Sequence, residues 1–134
     1  METDCIFCAI GERSAAAEVV EADIHTIAFL DINPATRGHT LVVPRVHARN
    51  LYDIEEEDLM RAVVMAQALA VRMQESLGAD GVNLINSCGA AAWQTVPHFH
   101  LHVIPRYDGD PLKLPWIPTP ADPNDLTVTA DLLR

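Results

Sequence analysis

The sequence predicts an α+β fold: an antiparallel sheet of about five strands carrying one long helix. Five short apolar runs are punctuated by Gly, Pro, Asn and Asp, as strands are. One stretch, residues 54–77, repeats apolar residues every three or four positions, as an amphipathic helix does. The end, residues 109–123, carries five prolines (Pro111, Pro115, Pro118, Pro120, Pro123), which excludes regular structure there.

The elements follow in order. Residues 4–10 suit a short helix or turn capped by Asp4. Val19-Val20-Glu21 and His25–Leu30 read as a hairpin turning at Ala22-Asp23, followed by a loop from Asp31 to Pro34 with Gly38 beyond it. His39–Val43 is a third strand, stopped by Pro44. The helix of residues 54–77 starts at an Asp53/Glu56 pair spaced like a capping box, and Glu55–Asp58 crowd its positive end. Leu59, Val63, Ala66, Ala70, Met73 and Leu77 form its apolar stripe, and Gly78 is placed to end it. Val82–Asn86 is a fourth strand, and a fifth opens at Pro97 and closes at Pro105. The arm, 109–134, is extended until Asn124 or Asp125 caps a last short helix.

The 134 residues fit one domain, 1–134, able to bury roughly two thirds of its unfolded surface. No apolar run approaches the ~20 residues of a membrane span, and the acidic N-terminus lacks a signal peptide's basic and apolar regions. The cytoplasm is the expected compartment. Nineteen acidic against nine basic side chains give a formal charge of −10, which disfavours nucleic acid polymers and anionic membranes as partners. A small phosphate ligand remains compatible, because local donors outweigh a screened global field.

Three of the six histidines alternate: His98, His100, His102. On a strand they share one face, while Phe99, Leu101 and Val103 turn to the core. Three imidazoles on one face need a ligand, a metal or a hydrogen-bond network. Imidazole serves as nucleophile, acid, base or metal ligand, and spacing alone does not separate these roles. Upstream, Asn86–Thr95 is rich in small residues that let backbone N–H groups approach an anion, with Gln94 and Thr95 as side-chain donors. Cys5-x-x-Cys8 has the spacing of half a zinc site, and a redox pair is the competing reading. His25, His39, His47 and the alternating three are available to complete a metal site. Cys88 stands alone and reads as a small buried apolar residue.

The run Gln94-Thr95-Val96-Pro97-His98-Phe99-His100-Leu101-His102-Val103-Ile104-Pro105-Arg106 resembles the signature of the histidine triad (HIT) superfamily of nucleotide hydrolases and transferases. Asp4–Cys8, Ala28–Pro34 and Gly38–His47 resemble its N-terminal blocks in order and spacing, so the likeness spans about residues 4–107, nearest to the Hint-like or bacterial branch. The resemblance implies a nucleoside monophosphate pocket and a symmetric homodimer. His100 would attack the α-phosphate, with its other ring nitrogen oriented by the His102 carbonyl, and water would resolve the nucleotidyl-histidine. Gln94 and Thr95 would hold phosphate oxygens, Asp31 the ribose hydroxyls, and Asn86 the ribose or phosphate edge. Ile6, Phe7, Phe29 and Ile32 would wall the base. Zinc-carrying members imply a structural zinc, one per chain, on Cys5, Cys8, His47 and His98, with no open coordination position.

The expected activity is hydrolysis of a purine nucleoside phosphoramidate or related nucleotide, with AMP as the product-like ligand. A dinucleoside polyphosphate hydrolase or nucleotidyl transferase would use the same chemistry. A nucleotide sensor with vestigial hydrolysis is the alternative of a different class. Three features depart from the family pattern: the apolar loop Ala90–Trp93, Pro97, and the Pro- and Trp-rich arm.

Overall fold

The computed structural model describes residues 4–134. Five strands form one sheet in the order β1-β2-β3-β5-β4, with every neighbouring pair antiparallel: β1 (Val19–Ala22), β2 (Thr26–Leu30), β3 (Thr40–Pro44), β4 (Gly81–Ile85) and β5 (Leu101–Arg106). Helix α1 (Ile6–Gly11) lies on one face and α2 (Glu56–Leu77) on the other. Strand alternation divides the side chains accordingly. Ala28, Val42, Leu101 and Val103 pack with the α2 residues Ala62, Met65, Ala66, Leu69 and Met73. Ile27, Phe29, Leu41 and Val43 pack with Phe7 and Ile10 of α1. His102 lies between Leu101 and Val103 in β5 and pairs across to Leu41, so its ring belongs to the α1 face.

Several expected boundaries shift. Cys5, not Asp4, caps α1: its Sγ accepts from the Cys8 amide at 3.3 Å. The Asp53/Glu56 capping box does not form. Asp53 instead accepts from the Arg49 amide at 2.9 Å, closing the preceding turn, and Glu55 occupies the cap position with no side-chain cap bond. Most of the expected α2 stripe faces the sheet: Ala66 and Met73 are buried and Leu59 and Leu77 pack against the core, joined by Ala62, Met65 and Leu69, while Val63 is exposed and Ala70 half-buried. Gly78 does end the helix, at φ +68°, a left-handed conformation that favours glycine.

The fifth strand begins at Leu101 rather than Pro97. The Phe99 amide donates to Ala48 O at 2.7 Å, so residues 97–100 run beside the His47 segment and only His102 of the three alternating histidines sits in the ladder. Gly38 is fixed by sterics: its φ is +93°, and a Cβ there would lie 2.5 Å from the Leu77 side chain. The arm is irregular up to α3 (Pro123–Leu133), which Asp122, not Asn124 or Asp125, caps by accepting from the Asn124 amide at 2.7 Å. No residue of α3 is buried. Among the described residues, no helix is long and apolar enough to cross a membrane.

Candidate active site and metal centre

The hydrogen-bond partners assign the proton on each ring, because a carbonyl only accepts and a backbone N–H only donates. His100 Nδ1 lies 2.7 Å from the carbonyl of His98, so Nδ1 carries the proton and Nε2 keeps a lone pair. The orienting carbonyl is therefore that of His98, not that of His102; the chain bend before β5 folds it back under the ring. Burial lowers the His100 pKa, against opposing pulls from that carbonyl and from Asp31, which favours the neutral, nucleophilic form.

His102 takes the opposite tautomer. The Ala35 amide donates to His39 Nδ1 at 2.9 Å, so His39 carries its proton on Nε2, which donates to His102 Nδ1 at 2.9 Å. That leaves the proton of His102 on Nε2. Burial, then the fields of His100 and His39, hold the His102 pKa down to about 4 despite Asp31, and burial lowers that of His39 too. The His100 and His102 ring centroids are 5.0 Å apart. A lone pair and an N–H donor thus stand side by side. The sequence offers His39 only as a possible metal ligand; its part in the site rests on a contact with His102, 63 residues away, with its tautomer set by the nearby Ala35 amide.

These two rings line a cleft of about 320 Å³ together with Ile6, Phe7, Phe29, Asp31, Ile32 and Thr95. Phe7 stands edge-on to His100, with centroids 5.0 Å apart. Ile32 is 89% exposed and Ile6 50%, so this apolar wall faces solvent at the rim. Asp31 has two engagements: Oδ1 accepts from the Asn33 amide at 2.8 Å and Oδ2 lies 3.6 Å from His39 Nε2. Asn86 and Gln94 sit behind the cleft rather than on its wall. Asn86 Nδ2 donates to His100 O at 3.0 Å. Gln94 Oε1 accepts from the Gly89 amide at 2.8 Å, and its Nε2 donates to Arg49 O at 2.8 Å and Val96 O at 3.0 Å.

The loop before the histidines is closed on itself. Ala90–Ala92 forms one 3-10 turn, and the amides of Ala92, Trp93 and Gln94 donate to loop carbonyls. Those three amides are turned inward rather than toward an anion. Trp93 takes φ +75°, a strained choice for an aromatic residue, and the Gln94 bonds hold the loop in that shape.

Cys5, Cys8, His47 and His98 converge beside this cleft, with all four ligand atoms within 4.8 Å of one another. Cys5 Sγ is 3.2 Å from His98 Nδ1, and Cys8 Sγ is 3.4 Å from His47 Nδ1 and 3.5 Å from His98 Nδ1. A tetrahedral Cys2His2 zinc site has ligand–ligand edges of roughly 3.3–3.8 Å, as follows from its bond lengths. His98 Nε2 donates to Pro44 O at 2.8 Å, which leaves Nδ1 unprotonated and aimed at the thiols. Burial foremost lowers its pKa to about 4. The donor set fits a metal.

A family profile described as a HIT domain matches residues 12–109. A crystal structure from Streptococcus mutans, 33% identical, aligns with a TM-score of 0.94 over 99% of this chain and 85% of that one. A zinc-bound histidine triad family protein from Mycobacterium smegmatis is 42% identical, with a TM-score of 0.80 over 87% of this chain and 84% of that one. A HIT family hydrolase from Legionella pneumophila is 29% identical, with a TM-score of 0.71 over 84% and 98% respectively.

Proposed function

The chain belongs to the histidine triad family, and from that premise we propose that it cleaves purine nucleotides at the α-phosphate, as a phosphoramidase or related hydrolase. One observation carries the proposal: the lone pair of His100 Nε2 beside the Nε2–H donor of His102, both at the wall of one cleft. With a nucleoside phosphoramidate, His100 Nε2 bonds to phosphorus and the P–N bond to the leaving amine breaks. The amine departs with the electron pair and takes up a proton from solvent, which is balanced by the proton the attacking water gives up in the second step. The Nδ1–H···O bond to His98 stabilises the positive charge that the ring then carries. Water attacks phosphorus next, the P–Nε2 bond breaks, and AMP and neutral His100 are released. His102 donates a hydrogen bond to a phosphoryl oxygen, as does the Thr95 hydroxyl. Gln94 acts as a positioning residue, and Asn86 steadies the His100 backbone.

The remaining assignments follow the same reading. Ile6, Phe7, Phe29 and Ile32 flank the base, and Asp31 accepts from the ribose hydroxyls. Cys5, Cys8, His47 and His98 hold one structural zinc, for which the zinc-bound relative is support. Bound there, the metal would supply a crosslink between the N-terminal segment and the nucleophile's chain. The chain forms one domain, 1–134, acts in the cytoplasm on small nucleotides, and pairs as a symmetric homodimer. Support for the pairing comes from the unpaired edge of β4 with exposed Leu84 and Ile85, and from exposed Met60, Val63, Val64 and Val71 on the outer face of α2.

Incubation with adenosine phosphoramidate, a diadenosine polyphosphate and adenylyl sulfate is expected to release AMP in every case, fastest from the phosphoramidate. AMP binding with no release from any of them would replace the hydrolase with a nucleotide sensor. For Asp31, the asparagine variant is the informative one, because its Oδ1 keeps the turn bond to Asn33. Asp31→Asn is expected to weaken AMP roughly tenfold while leaving inorganic phosphate unchanged, since charged hydrogen bonds to hydroxyls are worth about 1.5–3 kcal/mol. Equal losses for both ligands, measured by calorimetry, would reduce Asp31 to a turn residue.

A further inference from the structure

One turn of α1 carries two kinds of residue. Cys5 and Cys8 are thiols that face the metal centre, while Ile6 and Phe7 between them line the histidine cleft. Phe7 stands edge-on to His100 and to His98, with ring centroids 5.0 Å and 6.0 Å apart. The metal centre and the apolar wall therefore share one piece of backbone, and a change at the thiols is felt at the wall.

The thiols are reachable from solvent. A cleft of about 470 Å³ is lined by Cys5 and His47 together with Asp4, Arg49 and Pro97. Cys5 is half-buried on its wall, and Cys8 is buried behind it. The two sulfurs lie within 4.8 Å of each other, on the cap and the third residue of one helix. With a metal bound they are thiolates, the nucleophilic form of sulfur. A tetrahedral zinc keeps two such sulfurs roughly 3.8 Å apart, whereas a disulfide holds them about 2.05 Å apart. The pair can serve the metal or bond to itself, not both.

We infer that Cys5 and Cys8 form an oxidation site, which a hydroperoxide converts to a disulfide with loss of the zinc, and that this change slackens the nucleotide site. The coupling to turnover rests on the zinc site and the His100 chemistry proposed above. The Cys5 thiolate attacks one peroxide oxygen, the O–O bond breaks, and hydroxide leaves, which makes Cys5 a sulfenic acid. The Cys8 thiolate then attacks the Cys5 sulfur and displaces a second hydroxide. The two sulfurs lose two electrons to the peroxide and release the metal to solvent. The His98 ring then keeps its bond to Pro44 O alone, and its own carbonyl is the atom that orients His100. A dithiol together with zinc reverses the change.

The test adds hydrogen peroxide to the zinc-loaded full chain and to its Cys88→Ser variant, in which no third thiol reacts. In both, about one zinc per chain is expected on a chromogenic chelator, with a mass loss of about 2 Da in the variant and a Cys5–Cys8 bond in the peptide map. AMP affinity by calorimetry and AMP release from adenosine phosphoramidate should each fall about tenfold or more, and both should return with dithiothreitol and zinc. Zinc retained under peroxide that oxidises Cys88 would overturn the inference, as would zinc release with no Cys5–Cys8 bond. A disulfide form with undiminished AMP affinity and turnover would overturn the coupling. Bond and zinc release are read without substrate, so finding them in a chain that cleaves nothing keeps the oxidation site and removes the hydrolase. A chain that takes up no zinc, yet forms the disulfide and then binds AMP more weakly, keeps the thiol switch and removes the metal.

Discussion

His100→Asn is expected to lower AMP release from adenosine phosphoramidate by about 10⁴-fold or more while AMP affinity stays within a few-fold. The size of the effect comes from the route that is lost. With Nε2 available, displacement at phosphorus proceeds in two steps, each with a good nucleophile or leaving group. Without it, water must displace the amine directly. His102 cannot substitute, because His39 donates to its Nδ1 and its Nε2 carries a proton. Binding survives because the apolar wall, Asp31 and Thr95 remain. The same tautomer argument orders the variants: His102→Asn removes one hydrogen-bond donor and is expected to cost about 10²–10³-fold. Turnover by His100→Asn at the wild-type rate would reject the assignment.

Loss of the metal is the second large effect expected. The purified protein should contain about one zinc per chain by elemental analysis, and the double variant Cys5→Ser, Cys8→Ser should contain none. Its melting temperature should fall by about 10 °C or more, because a structural zinc contributes several kcal/mol and each kcal/mol moves a domain of this size by a few degrees. Turnover should fall with it. The His98 ring bonds Pro44 O on one side and faces the thiols on the other, while its own carbonyl holds His100 Nδ1. Releasing the His98 ring loosens the atom that orients the nucleophile. A metal-free double variant with an unchanged melting curve would contradict a structural role.

The elements legible in the sequence are those set by local chemistry. Strand alternation places Phe99, Leu101 and Val103 against α2, where the structure buries them. Cys5-x-x-Cys8 brings its own convergence, since one turn of α1 carries both thiols. The face of α2 is legible in part: the expected Leu59, Ala66, Met73 and Leu77 join the core, but Val63 and Ala70 lie off it and Ala62, Met65 and Leu69 fill the stripe, because apolar residues occur nearly all round this helix and packing on the sheet sets the stripe's edges. The extent of the last strand was hidden for a similar reason. His98 and Phe99 have strand-like alternation, but the His98 amide turns back to Val96 O and the Phe99 amide is claimed by Ala48 O, far away in the sequence.

The site divides in the same way. Residues whose chemistry is carried by their own side chain, such as His100, Asp31 and Thr95, lie on the cleft wall. Gln94 and Asn86 were expected to touch ligand, but their amides bond the backbone behind it, and a primary amide serves either purpose equally well. The tautomers, and with them the division of labour between His100 and His102, depend on His98 O, His39 and Ala35 N–H. No spacing rule reports such contacts.

The central claim is that His100 Nε2 bonds covalently to the α-phosphorus. It is tested most directly by mixing the full chain with an adenosine phosphoramidate, quenching rapidly at high pH where phosphoramidates persist, and mapping the adduct by peptide mass spectrometry. The account predicts an adenylyl group on His100, formed at a rate no slower than turnover. An adduct on another residue, or AMP accumulating with no adduct at any time point, would contradict it.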